Sequence, residues 1–185
     1  MKQASICVFC GSRAGANPAY VETAQDFGRR FGSNNWRLVY GAGDIGIMGA
    51  VANTVQSAGA DTFGVIPTHL RDREVGKTDL NRFIVTENMH ERKKVMFMNS
   101  DAVVILPGGP GTMDEFFEVL TWRQLGLHSK PIFVLDVAGY WQPLVALLDS
   151  IIAQGFAEES LLEFFSVVDT VDALESGLKS ALATA

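Results

Sequence analysis

The sequence predicts a doubly wound, Rossmann-like α/β domain, a mostly parallel sheet of about seven strands flanked by helices. Three observations carry that expectation. The run Ala102-Val103-Val104-Ile105-Leu106 is apolar at every position and β-branched, the pattern of a strand buried on both faces. Runs of this kind alternate with segments of helical periodicity along all 185 residues. Small-residue turns at 11–15, 41–46 and 107–111 each follow a predicted strand, so all three fall at the carboxyl ends of the sheet, where ligands bind in this fold class. No repeat, low-complexity tract or linker interrupts the alternation, and the length suits a single domain over residues 1–185.

In chain order, residues 6–9 form the first strand and run into Cys10-Gly11-Ser12-Arg13-Ala14-Gly15. Pro18 is placed at the first helical position, before a face of Tyr20, Ala24, Phe27 and Phe31. Residues 36–40 are a strand, followed by the second glycine turn and a helix over 47–58. Residues 62–66 are a strand that stops at Pro67, and the polar stretch 68–80 is the longest predicted loop. A short strand at 82–86 precedes a helix at 89–99. After the strand 102–106 and the third turn, helical spacing continues through Leu125. A strand at 131–135, an amphipathic helix at 140–154, a short helix at 158–162, a strand at 164–168 and a helix at 171–182 complete the reading.

Composition excludes several classes. Apolar residues make up 48% of the chain, but no run approaches the 18 residues or so of a membrane span. A strand begins directly after Met-Lys-Gln, so no signal peptide and a cytoplasmic location are expected. A net charge of −6 argues against a nonspecific nucleic-acid binder. The charge is unevenly spread: residues 71–94 hold seven Lys/Arg against five acids, and the rest of the chain holds eight against sixteen. That segment is either solvated surface or the counter-charge for a small anion. Cys7 and Cys10 are spaced as C-x-x-C, but on a strand they point to opposite faces and read as buried apolar residues rather than a redox pair. His69, His90 and His128 fit no ligand spacing, and no metal is expected.

The chemistry centres on Pro107-Gly108-Gly109-Pro110-Gly111-Thr112-Met113-Asp114-Glu115. Glycines between a strand and a helix let backbone N–H groups approach a ligand, and the helix dipole favours an anion there. A phosphate suits that geometry, while a carboxylate one turn further on, Glu115, points to chemistry beside it. Thr112-x-x-Glu115 also reads as a capping box with Thr112 at the N-cap, and spacing alone leaves both readings open. Gly41-Ala42-Gly43-Asp44-Ile45-Gly46 matches the dinucleotide fingerprint G-x-G-x-x-G, yet the acid that should end the next strand is missing, because that strand ends in Pro67-Thr68. These glycines are instead expected to form tight turns lining the same pocket. Arg92, on the helix that begins Met89-His90-Glu91, either snorkels to solvent or brings a planar, permanently charged fork to Glu115.

With these motifs set out, the chain resembles the Lonely Guy (LOG) family, the cytokinin riboside 5′-monophosphate phosphoribohydrolases, many of which carry a "lysine decarboxylase-like" label. The resemblance rests on 107–115 as P-G-G-x-G-T-x-x-E and on Met89-His90-Glu91-Arg92-Lys93 as M-H-x-R-K. Cys10-Gly11-Ser12, Val65-Ile66-Pro67 and the stretch from Thr121-Trp122 to Lys130-Pro131 add to it, in order along nearly the whole chain. The family's usual G-G-G-x-x-G-L-M-G departs here at Ala42. The added methyl is expected to alter close approach to base or phosphate.

The resemblance implies hydrolysis of the N-glycosidic bond of adenosine 5′-monophosphates, plain or N6-modified, releasing free base and ribose 5-phosphate without metal or organic cofactor. It implies Arg92 and Glu115 as catalytic residues. It implies substrate contacts from Glu74, Met89, Lys93, Gly108, Gly109, Gly111, Thr112 and Thr121, with Gly11, Ser12 and Gly43 as further pocket lining. For Glu74 an exposed loop acid is an equal reading. It also implies a homodimer, for which Trp122 and Trp141 could serve as interface or as core. Decarboxylation of lysine would require pyridoxal phosphate on a Schiff-base lysine, and no lysine is singled out by its context. The competing class is a nucleotide sensor or carrier without turnover, which would have no use for Arg92 and Glu115 together.

Overall fold

Strand β1 (Ala4–Phe9) is buried along almost its whole length, and its side chains divide between two cores. Ile6 and Val8 face one, Cys7 and Phe9 the other, as the two-residue period of a strand requires. The structure, a computed structural model, describes residues 3–71 and 76–183. In chain order the remaining elements are α1 (Ala19–Asn34), β2 (Trp36–Tyr40), α2 (Gly46–Ser57), β3 (Thr62–Pro67), α3 (Thr68–Arg71), β4 (Arg82–Thr86) and α4 (Met89–Met98). They continue with β5 (Ala102–Ile105), α5 (Pro110–Gln124), β6 (Ile132–Leu135), α6 (Gln142–Ala153), β7 (Ser166–Val168) and α7 (Val171–Ala183).

Among the described residues seven strands form one sheet in the order β4-β3-β2-β1-β5-β6-β7, and every pairing between these strands is parallel. All-parallel pairing needs both faces covered, and the two cores supply that cover. Residues of α1, α2 and α7 pack with Ile6, Leu38 and Val104 on one face. Residues of α4, α5 and α6 pack with Phe9, Val103 and Val134 on the other. Winding runs from β1 outward through β2, β3 and β4, then returns to β5 on the other side of β1. The topological switch point therefore lies between β1 and β5, and the loops leaving those two strands open a crevice at their carboxyl ends.

The predicted alternation matches the sheet, with local corrections. The helix predicted over 140–154 begins at Gln142, because a 3-10 turn at Val137–Gly139, with Ala138 at φ 53°, intervenes. The helix after the third turn starts at Pro110, so Thr112 lies inside its first turn with Gly109 at the N-cap, and the reading of Thr112 as N-cap is overturned. Pro110 takes this earlier start because its fixed φ and missing N–H cost nothing at the first helical position. Pro18 occupies an N-cap rather than the first helical position. The predicted loop 68–80 contains α3, and the strand predicted over 164–168 is shortened to Ser166–Val168 by a 3-10 stretch ending at Phe164.

Candidate active site

A cavity of about 650 Å³ opens at the switch point, and loops from both sides of it supply the walls. The first turn contributes Cys10 through Arg13 and Gly15, the second Gly41, and the third Pro107 through Thr112 with Asp114 and Glu115. The three turns meet here as expected, but of the glycines in the second only Gly41 lines the cavity, and Gly43 and Gly46 do not. Their mutual packing is close. Gly11 donates its N–H to the Pro107 carbonyl at 3.0 Å, and a Cβ on Gly108 would lie 2.8 Å from the Gly11 nitrogen.

Two helix N-termini reach this crevice, and they differ in what their amides do. At α2 the N–H groups of Ile47 and Met48 both donate to the Gly11 carbonyl, at 3.1 and 3.2 Å. The donors that a dinucleotide pyrophosphate would need are thus spent on the first turn. At α5 the N–H groups of Gly111 and Thr112 have no protein acceptor among the described residues, as is usual for the first turn of a helix. A Cβ built on Gly109 or on Gly111 would meet nothing within 4 Å. The bare backbone there faces open space, not a neighbouring side chain. Pro110 has no N–H to offer, so the amides available lie on either side of it. Thr112 is 4% exposed, lines the cavity and is free of the capping bond expected of it.

Arg92 approaches from the opposite wall on α4, whose N-terminus is fixed by Asn88 accepting the Glu91 N–H at 2.9 Å. Its side chain is buried rather than snorkelling. Nε donates to the Val65 carbonyl at 3.1 Å and Nη2 to the Gly41 carbonyl at 2.7 Å, so the guanidinium is anchored to β3 and to the residue that follows β2. Nη1 lies 3.8 Å from the Met89 sulfur, the neighbour expected from helical spacing. Gly41 is required by this arrangement, since a Cβ would fall 2.1 Å from Nη2. Glu115 is half-buried on α5 and lines the same cavity as Arg92. Its negative charge, after burial itself, contributes to pushing the Cys7 thiol well above its ordinary pKa. Cys7 and Cys10 are buried in different cores, as their spacing on a strand predicts.

The remaining predicted site residues divide. Gly11, Ser12, Met89, Gly108, Gly109, Gly111 and Thr112 line the cavity together with Arg92 and Glu115. Lys93 does not. It is buried between α4 and α5 with Nζ 2.9 Å from Asp114 and 3.1 Å from Glu118. Burial there acts to lower its pKa, but the hydrogen bonds it donates to both carboxylates outweigh it and hold the ammonium above its ordinary value. Gly43 is buried and pairs with Gly76 in an isolated bridge away from the lining. Thr121 stands exposed on α5, outside the lining. Glu74 lies outside the described residues. Ala42, at φ 58°, packs its methyl towards Gly64, whose own Cβ would come within 2.7 Å of it. The methyl therefore faces β3, and Ala42 is absent from the cavity wall.

Residues that sequence reasoning missed complete the wall. Arg13 brings a second cation to the rim beside Ser12, and Tyr20 and Tyr140 form an edge-to-face pair with centroids 5.4 Å apart. Ile47, Met48, Leu70 and Met96, with the expected Met89, make an apolar half of the wall. The glycine turn's amides flag an anion, but nothing in the local pattern of Tyr140 or Met48 distinguishes pocket from core. Part of the basic segment 71–94 is neither solvated face nor ligand contact: Lys77 is buried with Nζ 3.0 Å from Asp79 and 3.5 Å from Asp44. No group of His, Cys, Asp and Glu among the described residues could hold a metal ion.

The fold and this crevice define a doubly wound α/β protein with the open N-terminus of a helix and a carboxylate in one cleft. Comparison with known proteins narrows the class. A family model described as "Possible lysine decarboxylase" matches residues 48–177. A rice (Oryza sativa subsp. japonica) protein named as a probable cytokinin riboside 5′-monophosphate phosphoribohydrolase is 40% identical over 179 residues, covering 97% of this chain and 78% of its own length. Two Arabidopsis thaliana proteins named as cytokinin riboside 5′-monophosphate phosphoribohydrolases are 40% identical over 174 residues and 43% over 151. These matches cover 94% and 82% of this chain, and 81% and 71% of the two relatives. The chain belongs to this family, the Lonely Guy family. Among solved structures, the molybdenum cofactor carrier protein of Chlamydomonas reinhardtii superposes with a TM-score of 0.75 at 22% identity, over 100% of both chains. The molybdenum cofactor binding protein of Rippkaea orientalis gives 0.74 at 20%, over 98% of this chain and 99% of its own. At that identity the likeness is one of fold. The family model's description does not fit the site: no lysine lines the cavity among the described residues, and a pyridoxal phosphate decarboxylase needs one for its Schiff base.

Proposed function

We propose that the protein hydrolyses the N-glycosidic bond of adenosine 5′-monophosphates, including N6-modified ones, releasing free base and ribose 5-phosphate. One observation carries the reading: a single cavity joins the Gly111 and Thr112 amides, which have no acceptor among the described residues, the Glu115 carboxylate and the buried Arg92. The names of the plant relatives support the same reaction.

The 5′-phosphate sits against the first turn of α5, where the amides of Gly111 and Thr112, the Thr112 hydroxyl and the dipole of a fifteen-residue helix act on it together. Arg13 at the rim offsets the charge that a dianion brings near Glu115 and Asp114. Anchored there, the ribose is held within reach of Glu115, which removes the entropic cost of finding it. The base enters the apolar half formed by Ile47, Met48, Met89 and Met96, and an N6 substituent would extend this contact. As the C1′–N9 bond breaks, positive charge develops on the ribose and Glu115 stabilises it. The oxygen of a water bonds to C1′ and one of its protons passes to Glu115; the departing base takes up a proton from solvent, and Glu115 returns its own to solvent. Arg92, pinned by two carbonyls, is a fixed cation that orients carboxylate and substrate. Lys93 acts through Asp114 and Glu118 by tying α4 to α5. No metal or organic cofactor has a step in this scheme.

The test is base release from AMP and from N6-isopentenyl-AMP, followed by chromatography, with Glu115→Gln and Arg92→Ala alongside. Loss of at least about a hundredfold in kcat for each is expected, in line with removing a charge-stabilising or acid–base group. Stoichiometric nucleotide binding with no base release from the unaltered protein would make it a carrier instead. The proposed assembly is a homodimer. Its support is exposed apolar surface at the C-terminal ends of α4 and α5, where Met98, Leu125 and Leu127 are 67%, 67% and 69% exposed. No helix among the described residues is long and apolar enough to cross a membrane.

A further inference from the structure

The Gly108–Gly109 peptide carries a decision that its own sequence cannot make. With glycine on both sides, little steric resistance opposes a flip of the peptide plane. One orientation points the Gly109 N–H at an anion, and the other presents the Gly108 carbonyl oxygen, which would repel it. The two glycines are unequally held. Gly108 is packed, since a Cβ there would lie 2.1 Å from the Thr112 hydroxyl oxygen, whereas Gly109 borders open space. The Gly109 N–H has no acceptor among the described residues.

The contact that distinguishes the two orientations comes from the other side of β5. Tyr140 donates its hydroxyl to the Gly108 carbonyl at 2.5 Å. No peptide among the described residues is cis, so C=O and N–H of this plane are antiparallel and fixing one aims the other. Tyr140 is itself braced independently of that bond. Asp136, buried at the end of β6, accepts the Trp141 N–H at 2.7 Å and a bond from the Gln142 side-chain amide. The Tyr140 ring stands edge-to-face against Trp141 at 4.8 Å and Tyr20 at 5.4 Å. The hydroxyl therefore arrives where packing sends it, and the glycine peptide adapts.

We propose that Tyr140 is a positioning residue that latches the Gly108–Gly109 peptide with the Gly109 N–H turned to the substrate phosphate, making it a third amide donor beside Gly111 and Thr112. This rests on the phosphate seat of the preceding reading and adds a residue that acts on it through the backbone. The hydrogen bond to the carbonyl also polarises the same peptide and strengthens its N–H as a donor.

The test is Tyr140→Phe, which keeps the ring and its two aromatic contacts and removes only the latch. The probes are inorganic phosphate and ribose 5-phosphate, with adenosine as the ligand lacking a phosphate, all by calorimetry. Turnover of AMP is measured in parallel. The expected result is a Kd for both phosphate ligands, and a KM for AMP, raised about tenfold, the loss of roughly one charge-assisted hydrogen bond. Adenosine affinity, kcat and the thermal midpoint stay near those of the unaltered protein. In the ligand-free protein the Gly109 amide resonance in a ¹⁵N–¹H spectrum moves with the substitution. Unchanged phosphate affinity overturns the proposal, as does an equal loss for adenosine and AMP, which would mean a general disturbance of the cavity. If the unaltered protein binds none of the phosphate probes, the seat itself is wrong and the latch falls with it. That outcome is distinct from a seat that binds but ignores Tyr140.

Discussion

Replacing Gly111 by alanine separates what the fold needs from what a ligand needs. Gly111 is the second residue of α5, its φ is not in the left-handed region, and an added Cβ meets no atom within 4 Å. The protein therefore gives no steric reason for glycine here. Helix propensity favours alanine by up to about 1 kcal/mol in a helix interior, and less in a first turn. A gain of that size corresponds to a thermal midpoint raised by about 1–4 °C for a chain of this length. A phosphate seated on the Gly111 and Thr112 amides would meet the new methyl and be pushed off at least one of them. Losing one charge-assisted hydrogen bond costs about 1.5–3 kcal/mol, roughly 10- to 150-fold in KM. The expected variant is thus as stable as the parent or slightly more so, and much poorer at capturing AMP. Circular dichroism melts and initial rates of base release over a range of AMP concentrations measure both quantities. A KM within about twofold of the parent, with the melt unchanged or raised, would refute the assignment of this bare backbone as the phosphate seat.

Two further expectations concern regions away from the chemistry. Glu175 on α7 accepts bonds from Lys179 at 2.6 Å, Asn34 at 2.9 Å and Arg30 at 2.7 Å, tying α7 to α1, and its carboxyl is held down at about 2, chiefly by Lys179 and Asn34. A folded pKa below the ordinary 4.5 stabilises the fold above that value, and the contribution is lost as pH falls from 4.5 towards 2. After allowance for solvent screening, Glu175→Gln is expected to cost on the order of 1 kcal/mol at pH 7. Urea midpoints of the two proteins should converge as pH is lowered through that window; a difference independent of pH would sink the electrostatic account. For the assembly, sedimentation of the unaltered protein is expected to give twice the chain mass, and Leu127→Lys to shift it towards monomer. A monomeric parent at micromolar concentration would remove the dimer.

Much of the fold was legible because its signals are local. Continuous apolar runs such as 102–106 can only be strands covered on both faces, and their alternation with helical periodicity leads to a parallel sheet with ligand loops at one end. The spacing from glycine turn to Glu115, and Arg92 on a preceding helix, were likewise visible as motifs. What the sequence left open were competitions between distant groups. The second glycine turn matches a dinucleotide fingerprint, but only the structure shows the Gly11 carbonyl taking the Ile47 and Met48 amides at the start of α2. Arg92 could snorkel or turn inward, and carbonyls 27 and 51 residues away turn it inward. Lys93 could meet a substrate or a carboxylate, and Asp114 stands 21 residues on. Tyr140 reaches Gly108 across 32 residues with no local pattern to announce it. Each of these outcomes depends on which acceptor the packed strands bring within about 3 Å of a donor, and no local window of sequence contains that distance. The sequence by itself determined the sheet and the chemical types at its mouth. The tertiary structure decided which of their hydrogen bonds were spent on the fold and which were left for a ligand.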